Sequence, residues 1–230
     1  MTTTLIAPPI YRTSIGKKVI MAGSGLVLLL YVIGHMIGNL KAFLSEKELD
    51  AYADFLRRMG EPIFPHTVLL WIIRVVVGLA FVLHVYFAID LSVRSRRARQ
   101  HRYAHTDHVQ SNPAAFTMRW GGIAIGLFVI FHLAHFTWGW IHPGYTYVRG
   151  GVYHNVVESF NQWWLVVIYV AAMIALCLHL YHGTWSIFQT FGVNSRRWDR
   201  VIRRTAATVA VVIFIGFSAV PIGVLVGAIS

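Results

Sequence analysis

Five stretches of this chain are too long and too apolar to rest in water. They run over roughly 19–40, 67–91, 119–140, 161–190 and 205–229, and each meets the length of about 20 residues that a bilayer-crossing α-helix needs. A backbone inside hydrocarbon has no water to bond to and must satisfy its own amides, which in single runs of this length means helix. Composition agrees: of 230 residues, 57% are hydrophobic and only 13% are charged, too few polar groups to clothe a soluble domain. The sequence predicts an all-α membrane protein, with 1–230 as a single transmembrane domain built as a five-helix bundle in a lipid bilayer. Lys17 and Lys18 precede the first apolar run as they would in a signal peptide. That run is long enough to span and lacks a small-residue cleavage site, so it reads as a retained helix.

The net charge of +11 would suggest nucleic acid in a soluble chain. Here the basic residues cluster between apolar spans, where they report topology and anionic headgroups, and nucleic acid is excluded as a partner. Arg12, Lys17 and Lys18, then Arg94, Arg96, Arg97, Arg99, Arg102 and Arg119, then Arg196, Arg197, Arg200, Arg203 and Arg204 fall on one side. The opposite connections carry Lys41, Lys47, Arg57, Arg58 and Arg149, diluted by Glu46, Glu48, Asp50, Asp54, Glu61 and Glu158. The positive-inside rule then places the amino terminus in the cytoplasm and the carboxyl terminus outside. The single cysteine, Cys177, lies within a span and forms no intrachain disulfide.

The connections have their own signals. In SEKELDAYADFLRRMGEPIFP, Ser45 and Glu48 form a capping box ahead of Leu49, Tyr52, Ala53 and Leu56 at helical spacing, which predicts a short interfacial helix over about 46–59, stopped by Gly60 and Pro62. The connection from Ile141 to Asn161, with Pro143, Gly150, Gly151 and several aromatics, reads as a lid at the interface, and Trp138, Trp140, Trp163 and Trp164 as belt residues. The stretch RSRRARQHRYAHTDHVQ is a solvated loop that touches lipid phosphates, or else a docking face for a soluble partner.

Against this apolar background, histidines inside the spans stand out, because an ionisable ring in hydrocarbon needs a partner within the protein. A rise of about 1.5 Å per residue sorts them by depth. His84 lies about 15 Å from the cytoplasmic basic cluster and His179 about 18 Å. His35 and His132 lie about 25 Å and 20 Å from their own cytoplasmic ends, in the outer half. The chain therefore offers an inner pair, His84 with His179, and an outer pair, His35 with His132. Two imidazoles facing each other from different helices are what a six-coordinate haem iron requires, and two such levels make a transmembrane electron path. Gly34 and Gly38 around His35, and Gly122 and Gly126 before His132, leave room for a bulky ring or serve close helix packing. His135 and His182 repeat three residues after His132 and His179, and spacing alone does not choose between the members of each HxxH. These pairs, with Cys177, also permit an iron–sulfur cluster of mixed ligation completed by another chain, or a single haem. The remaining histidines, His66, His101, His105, His108, His142 and His154, fall in loops or at helix ends.

The runs HMIGNLKAF in the first span, WGG and FHL in the third, and HLYHGTWSIFQTFGVN in the fourth resemble the cytochrome b membrane anchor of bacterial succinate dehydrogenase and fumarate reductase, in its single-chain, five-helix, di-haem form. The likeness extends over nearly the whole chain. It implies two haem b groups held by His35 with His132 and by His84 with His179, and favours the first histidine of each HxxH; His135 and His182 depart from the family pattern. It further implies a flavoprotein subunit with FAD and an iron–sulfur subunit on the cytoplasmic face, electron transfer to a membrane quinone, menaquinone in the first instance, and residence in the bacterial cytoplasmic membrane. Glu61, His66 and Arg74 are the first candidates for a quinone site, and Lys41, Arg94 and Arg119 for partners of haem propionates. Three other functions compete, of which a purely structural anchor without redox cofactor leaves the paired histidines unexplained. A cytochrome b subunit of another quinone-linked dehydrogenase would share the haem logic with a different soluble partner. A proton-coupled transporter using buried histidines would want an acidic residue at mid-span, and Asp90 lies at a span end.

Overall fold

The computed structural model describes residue 9 and residues 12–98, 113–193 and 195–230, with the backbone alone for 113–117. Arg99, Arg102, His101, His105 and His108, and with them most of the basic stretch between the second and third spans, lie outside the described residues.

All regular structure among the described residues is helical. α1 (Ser14–Asn39) opens at Thr13, whose hydroxyl accepts from the Gly16 N–H at 3.0 Å, and tightens into a 3₁₀ turn over Leu40–Phe43. α2 (Glu46–Arg58) begins where the capping box puts it: the Ser45 hydroxyl accepts from the Glu48 N–H at 3.2 Å. Glu46 and Glu48 in its first turn and Arg57 and Arg58 in its last complement the helix dipole, and Gly60, at φ 92°, turns the chain out of it. α3 (Val68–Arg97) follows, then α4 (Pro113–His132), which runs into a π-helical turn over Leu133–Thr137. α5 (Val152–Phe160), α6 (Trp163–Thr190) and α7 (Arg196–Leu225) complete the chain.

Among the described residues, five helical segments are long and apolar enough to cross a membrane: Ser14–Phe43, Val68–Arg97, Met118–Thr137, Trp163–Thr190 and Arg196–Leu225. Their ends differ from the expected ones for local reasons. α7 starts at Arg196 and not near 205, because Ser195 caps it and its basic first turns are held by Asp199, which accepts from Trp185 Nε1 at 3.0 Å and Arg203 Nε at 2.8 Å. The third span ends at Thr137, where the Trp138 N–H reaches back to the Leu133 carbonyl and closes the π turn. α5 falls inside the stretch expected to be a lid at the interface; Tyr153 N–H donating to Asp50 Oδ1 at 3.0 Å ties it down to α2.

The closest helix packing is α6 with α7, α1 with α3, and α4 with α6, while α1 also touches α6 and α7. α7 buries a stripe of Ile202, Ala206, Ala210, Ile213, Gly216, Val220 and Val224, and at Gly216 the Met36 thioether occupies the space a Cβ would take. α3 packs only on α1 and α2 among its close neighbours. Its other face presents Trp71, Val75, Leu79, Val82, Tyr86 and Ile89, each more than half exposed, a continuous apolar strip at helical spacing that suits lipid and not water. One end of the bundle is capped by α2 and α5 over a core of Ala42, Leu49, Val156, Phe160, Val166 and Val220. Trp138 and Trp140 lie against each other at this capped end, ring centres 4.6 Å apart. At the opposite, basic end, Asp90 of α3 accepts from Lys17 Nζ of α1 at 2.6 Å and from Arg94 Nε at 3.0 Å. Lys17 is 6% exposed there.

Candidate functional site: two facing histidine pairs

The helices bring four mid-span histidines together in twos. Near the basic end, His84 on α3 faces His179 on α6 with ring centres 6.0 Å apart and planes 68° to each other. Near the capped end, His35 on α1 faces His132 on α4 at 5.9 Å and 80°. Neither α3 with α6 nor α1 with α4 is among the closely packed helix pairs of the described residues, so the rings meet across gaps between backbones. A metal bound by two imidazoles on opposite sides sets their ring centres about 6 Å apart, from two bonds of about 2.0 Å plus the ring radii. Both pairs have that spacing. Beside the second pair, a Cβ added at Gly34 or Gly126 would meet no atom within 4 Å. Separated helices and facing imidazoles at both levels are a donor set that would suit a metal-centred ring held between two histidines. Among the described residues no group of three or more His, Cys, Asp and Glu side chains converges, and Cys177 is a half-buried free thiol.

Hydrogen bonds distinguish the members of each HxxH. His84 Nδ1 lies 3.1 Å from the Met21 carbonyl, which can only accept, so Nδ1 carries the proton and Nε2 is bare. The ring reaches α1 because residue 25 is glycine: a Cβ there would lie 3.2 Å from both Cε1 and Nδ1 of His84. Its partner His179 rests near Gly122 with Nδ1 buried and unbonded. His182 Nδ1 is likewise unbonded, but its ring packs on Trp185, centres 5.6 Å apart, and no imidazole of the described residues faces it. His35 stacks on Tyr31 at 5.5 Å and touches Phe217 at 5.7 Å. His132 Nδ1 lies 3.3 Å from the Tyr169 hydroxyl. His135 is fully engaged within the protein, Nδ1 with Tyr169 at 2.9 Å and Nε2 with Ser159 at 3.0 Å, and keeps no nitrogen free for a ligand.

The other expected site residues are scattered. Glu61 and His66 come together at 3.2 Å on the exposed rim of the capped end, whereas Arg74 stacks on Trp71 at 5.0 Å. Lys41 pairs with Glu48 at 3.8 Å and lies over the Tyr52 ring. Arg94 is held by Asp90, and Arg119 is exposed. The ring beside Gly38 is Tyr52 from α2, so this glycine serves helix packing. His142 and His154 bond to loop carbonyls, of Tyr145 at 3.0 Å and Thr146 at 3.3 Å. Burial pushes the Tyr145 phenol above its ordinary pKa and keeps it a neutral donor next to Ser159.

Sequence reasoning passed over Gly25, Tyr169, Ser159 and the Lys17–Asp90 pair. Tyr169 left a trace, a hydroxyl within the fourth apolar run that must find a partner there. Ser159 left none, since a serine in a connection is unremarkable until its burial is known. No family model, curated protein or solved structure matches the chain.

Proposed function

We propose that this chain is the membrane-anchor and electron-transfer subunit of a succinate:quinone oxidoreductase, passing electrons between an iron–sulfur subunit and membrane quinone through two b haems. The observation that carries the reading is the pair of facing imidazoles at each of two depths, 5.9 Å and 6.0 Å between ring centres. His35 and His132 would hold one haem and His84 and His179 the other. A haem so bound supplies reversible one-electron exchange at its iron. The chain binds and orients it through imidazoles on separate helices and keeps water from the upper level with Phe128, Phe131, Phe136 and Phe160 around Tyr169.

In this reading the basic end, with Arg94, Arg96, Arg97, Arg196, Arg197 and Arg200 exposed, faces the bacterial cytoplasm and receives the iron–sulfur subunit and its FAD-bearing flavoprotein. The capped end lies outside. Glu61 and His66, hydrogen-bonded to each other and open to solvent, are placed to exchange protons with menaquinone there, with Arg74 on the same side. The chain itself carries no succinate site.

The test is a dithionite-reduced minus oxidised visible spectrum of the purified membrane complex, with pyridine haemochrome quantitation. About two b haems per chain are expected, one lost on His84→Ala and the other on His132→Ala. Succinate, and not formate or hydrogen, reduces them in the intact complex. A wild-type complex without haem bands refutes the reading; haem reduced by formate or hydrogen alone assigns the chain to another quinone-linked dehydrogenase.

A further inference from the structure

Ser159 gives a direction to a chain of hydrogen bonds that ends on His132. Its hydroxyl lies 2.6 Å from the Asn155 carbonyl, 2.9 Å from the Tyr145 hydroxyl and 3.0 Å from His135 Nε2. A hydroxyl has one hydrogen and a carbonyl can only accept, so the serine proton goes to Asn155. The serine oxygen then accepts from Tyr145 and from a protonated His135 Nε2. A neutral His135 with its proton on Nε2 has a bare Nδ1, and the Tyr169 hydroxyl 2.9 Å away must donate to it. That uses the only hydrogen Tyr169 has. The remaining contact, His132 Nδ1 to the Tyr169 oxygen at 3.3 Å, can then only run from His132 to Tyr169.

We propose that Ser159, His135 and Tyr169 are positioning residues that hold His132 as its Nδ1–H tautomer, which leaves Nε2 bare and able to bind a metal. The inference rests on the haem reading above and deepens it. Burial makes the relay binding: His135 and Ser159 are 0% exposed and Tyr169 is 6% exposed, so water does not replace a missing partner. Among the described residues, the Tyr169 hydroxyl bonds to these two imidazoles. His84 gets the same tautomer from a fixed backbone carbonyl. His132 gets it from a side-chain acceptor, oriented by a second histidine, which accounts for the HxxH at this level. An imidazole that donates from Nδ1 is a more basic ligand at Nε2 and favours the oxidised iron. Removing its acceptor therefore raises the midpoint potential at this level and leaves the other unchanged.

The test uses the purified complex, redox titration with the two haems resolved, and electron paramagnetic resonance of the oxidised low-spin iron. Tyr169→Phe keeps two haems per chain, shifts the midpoint potential of the His35/His132 haem upward and alters its resonance only. His135→Leu, which strips Tyr169 of its acceptor, perturbs the same haem. His135→Gln, with an oxygen to accept and an amide to donate, returns potential and spectrum toward wild type. Potentials that stay put in both Tyr169→Phe and His135→Leu overturn the relay, as do shifts of equal size at both haems, the mark of a general packing role. If Tyr169→Phe fails to assemble, the His135→Leu and His135→Gln comparison decides alone: rescue supports the relay, and equal behaviour overturns it. A wild-type complex with no haem overturns the proposed function and the relay together, whereas haem with unmoved potentials overturns only the relay.

Discussion

Gly25 separates the stability of this bundle from the geometry of one histidine pair. A Cβ at this position would lie 3.2 Å from two atoms of the His84 ring, whereas carbon atoms rest comfortably at about 3.5–4.0 Å. Alanine therefore asks the ring to retreat by about 0.3–0.8 Å. The Nδ1 bond to the Met21 carbonyl, now 3.1 Å, lengthens to about 3.4–3.9 Å, where it is weak or lost. Losing it costs about 0.5–1.5 kcal/mol, while replacing glycine by alanine within α1 returns about 1 kcal/mol of helix propensity. The two nearly cancel. Gly25→Ala is thus expected to unfold within about 1 kcal/mol of wild type, yet, if His84 and His179 hold a haem as proposed, to hold it more loosely, with an altered spectrum and partial loss of occupancy. Gly25→Val adds two methyl groups at the same contact and empties that level, leaving the His35/His132 haem in place. Thermal unfolding and haemochrome quantitation on the same samples check both halves. A Gly25→Val complex that keeps two haems with the wild-type spectrum would refute the idea that this glycine sets the ring position.

Two further outcomes follow from named contacts. Asp90→Asn removes the anion facing buried Lys17 and should lower thermal stability; a second change, Lys17→Met, recovers most of the loss because it removes the stranded charge. If the two facing pairs hold the proposed haems, His179→Ala halves the haem content, whereas His182→Ala leaves it at two per chain and shifts only stability, since among the described residues the His182 ring meets Trp185 and no second imidazole. Equal haem loss in the two variants would contradict the facing-pair geometry.

How far the sequence could be read depended on the range of the signal. The Ser45 cap and the five apolar runs are local, and the helices lie close to where they were expected, apart from α7, whose basic turns looked like a loop until Asp199 and Trp185 held them. The depth ruler paired His35 with His132 and His84 with His179 because rise per residue is fixed by helix geometry, and those rings do stand opposite each other. The choice within HxxH was not legible. Three residues along a helix return to within about 60° of the same direction, so His132 and His135 point to one side, and only Tyr169 and Ser159, brought in by α6 and α5, tell them apart. Lys17 and Asp90 were read as a topology signal and a span end because nothing in α1 announces a partner on α3. α5 was missed because nine residues among glycines and aromatics carry too little periodicity to declare a helix.

The close pairing of α1 with α3 has a consequence for biogenesis. Within the first half of the chain, Lys17 already meets Asp90, Gly25 already admits the His84 ring, and Met21 already takes its proton. This hairpin can settle in the bilayer before the rest is synthesised, with His84 and His35 in place but facing lipid. Their counterparts arrive only with α4 and α6. The seam between the halves cannot close before α4 and α6 are made, and if each pair holds a haem as proposed, the ring would enter along that seam, against the α1–α3 face.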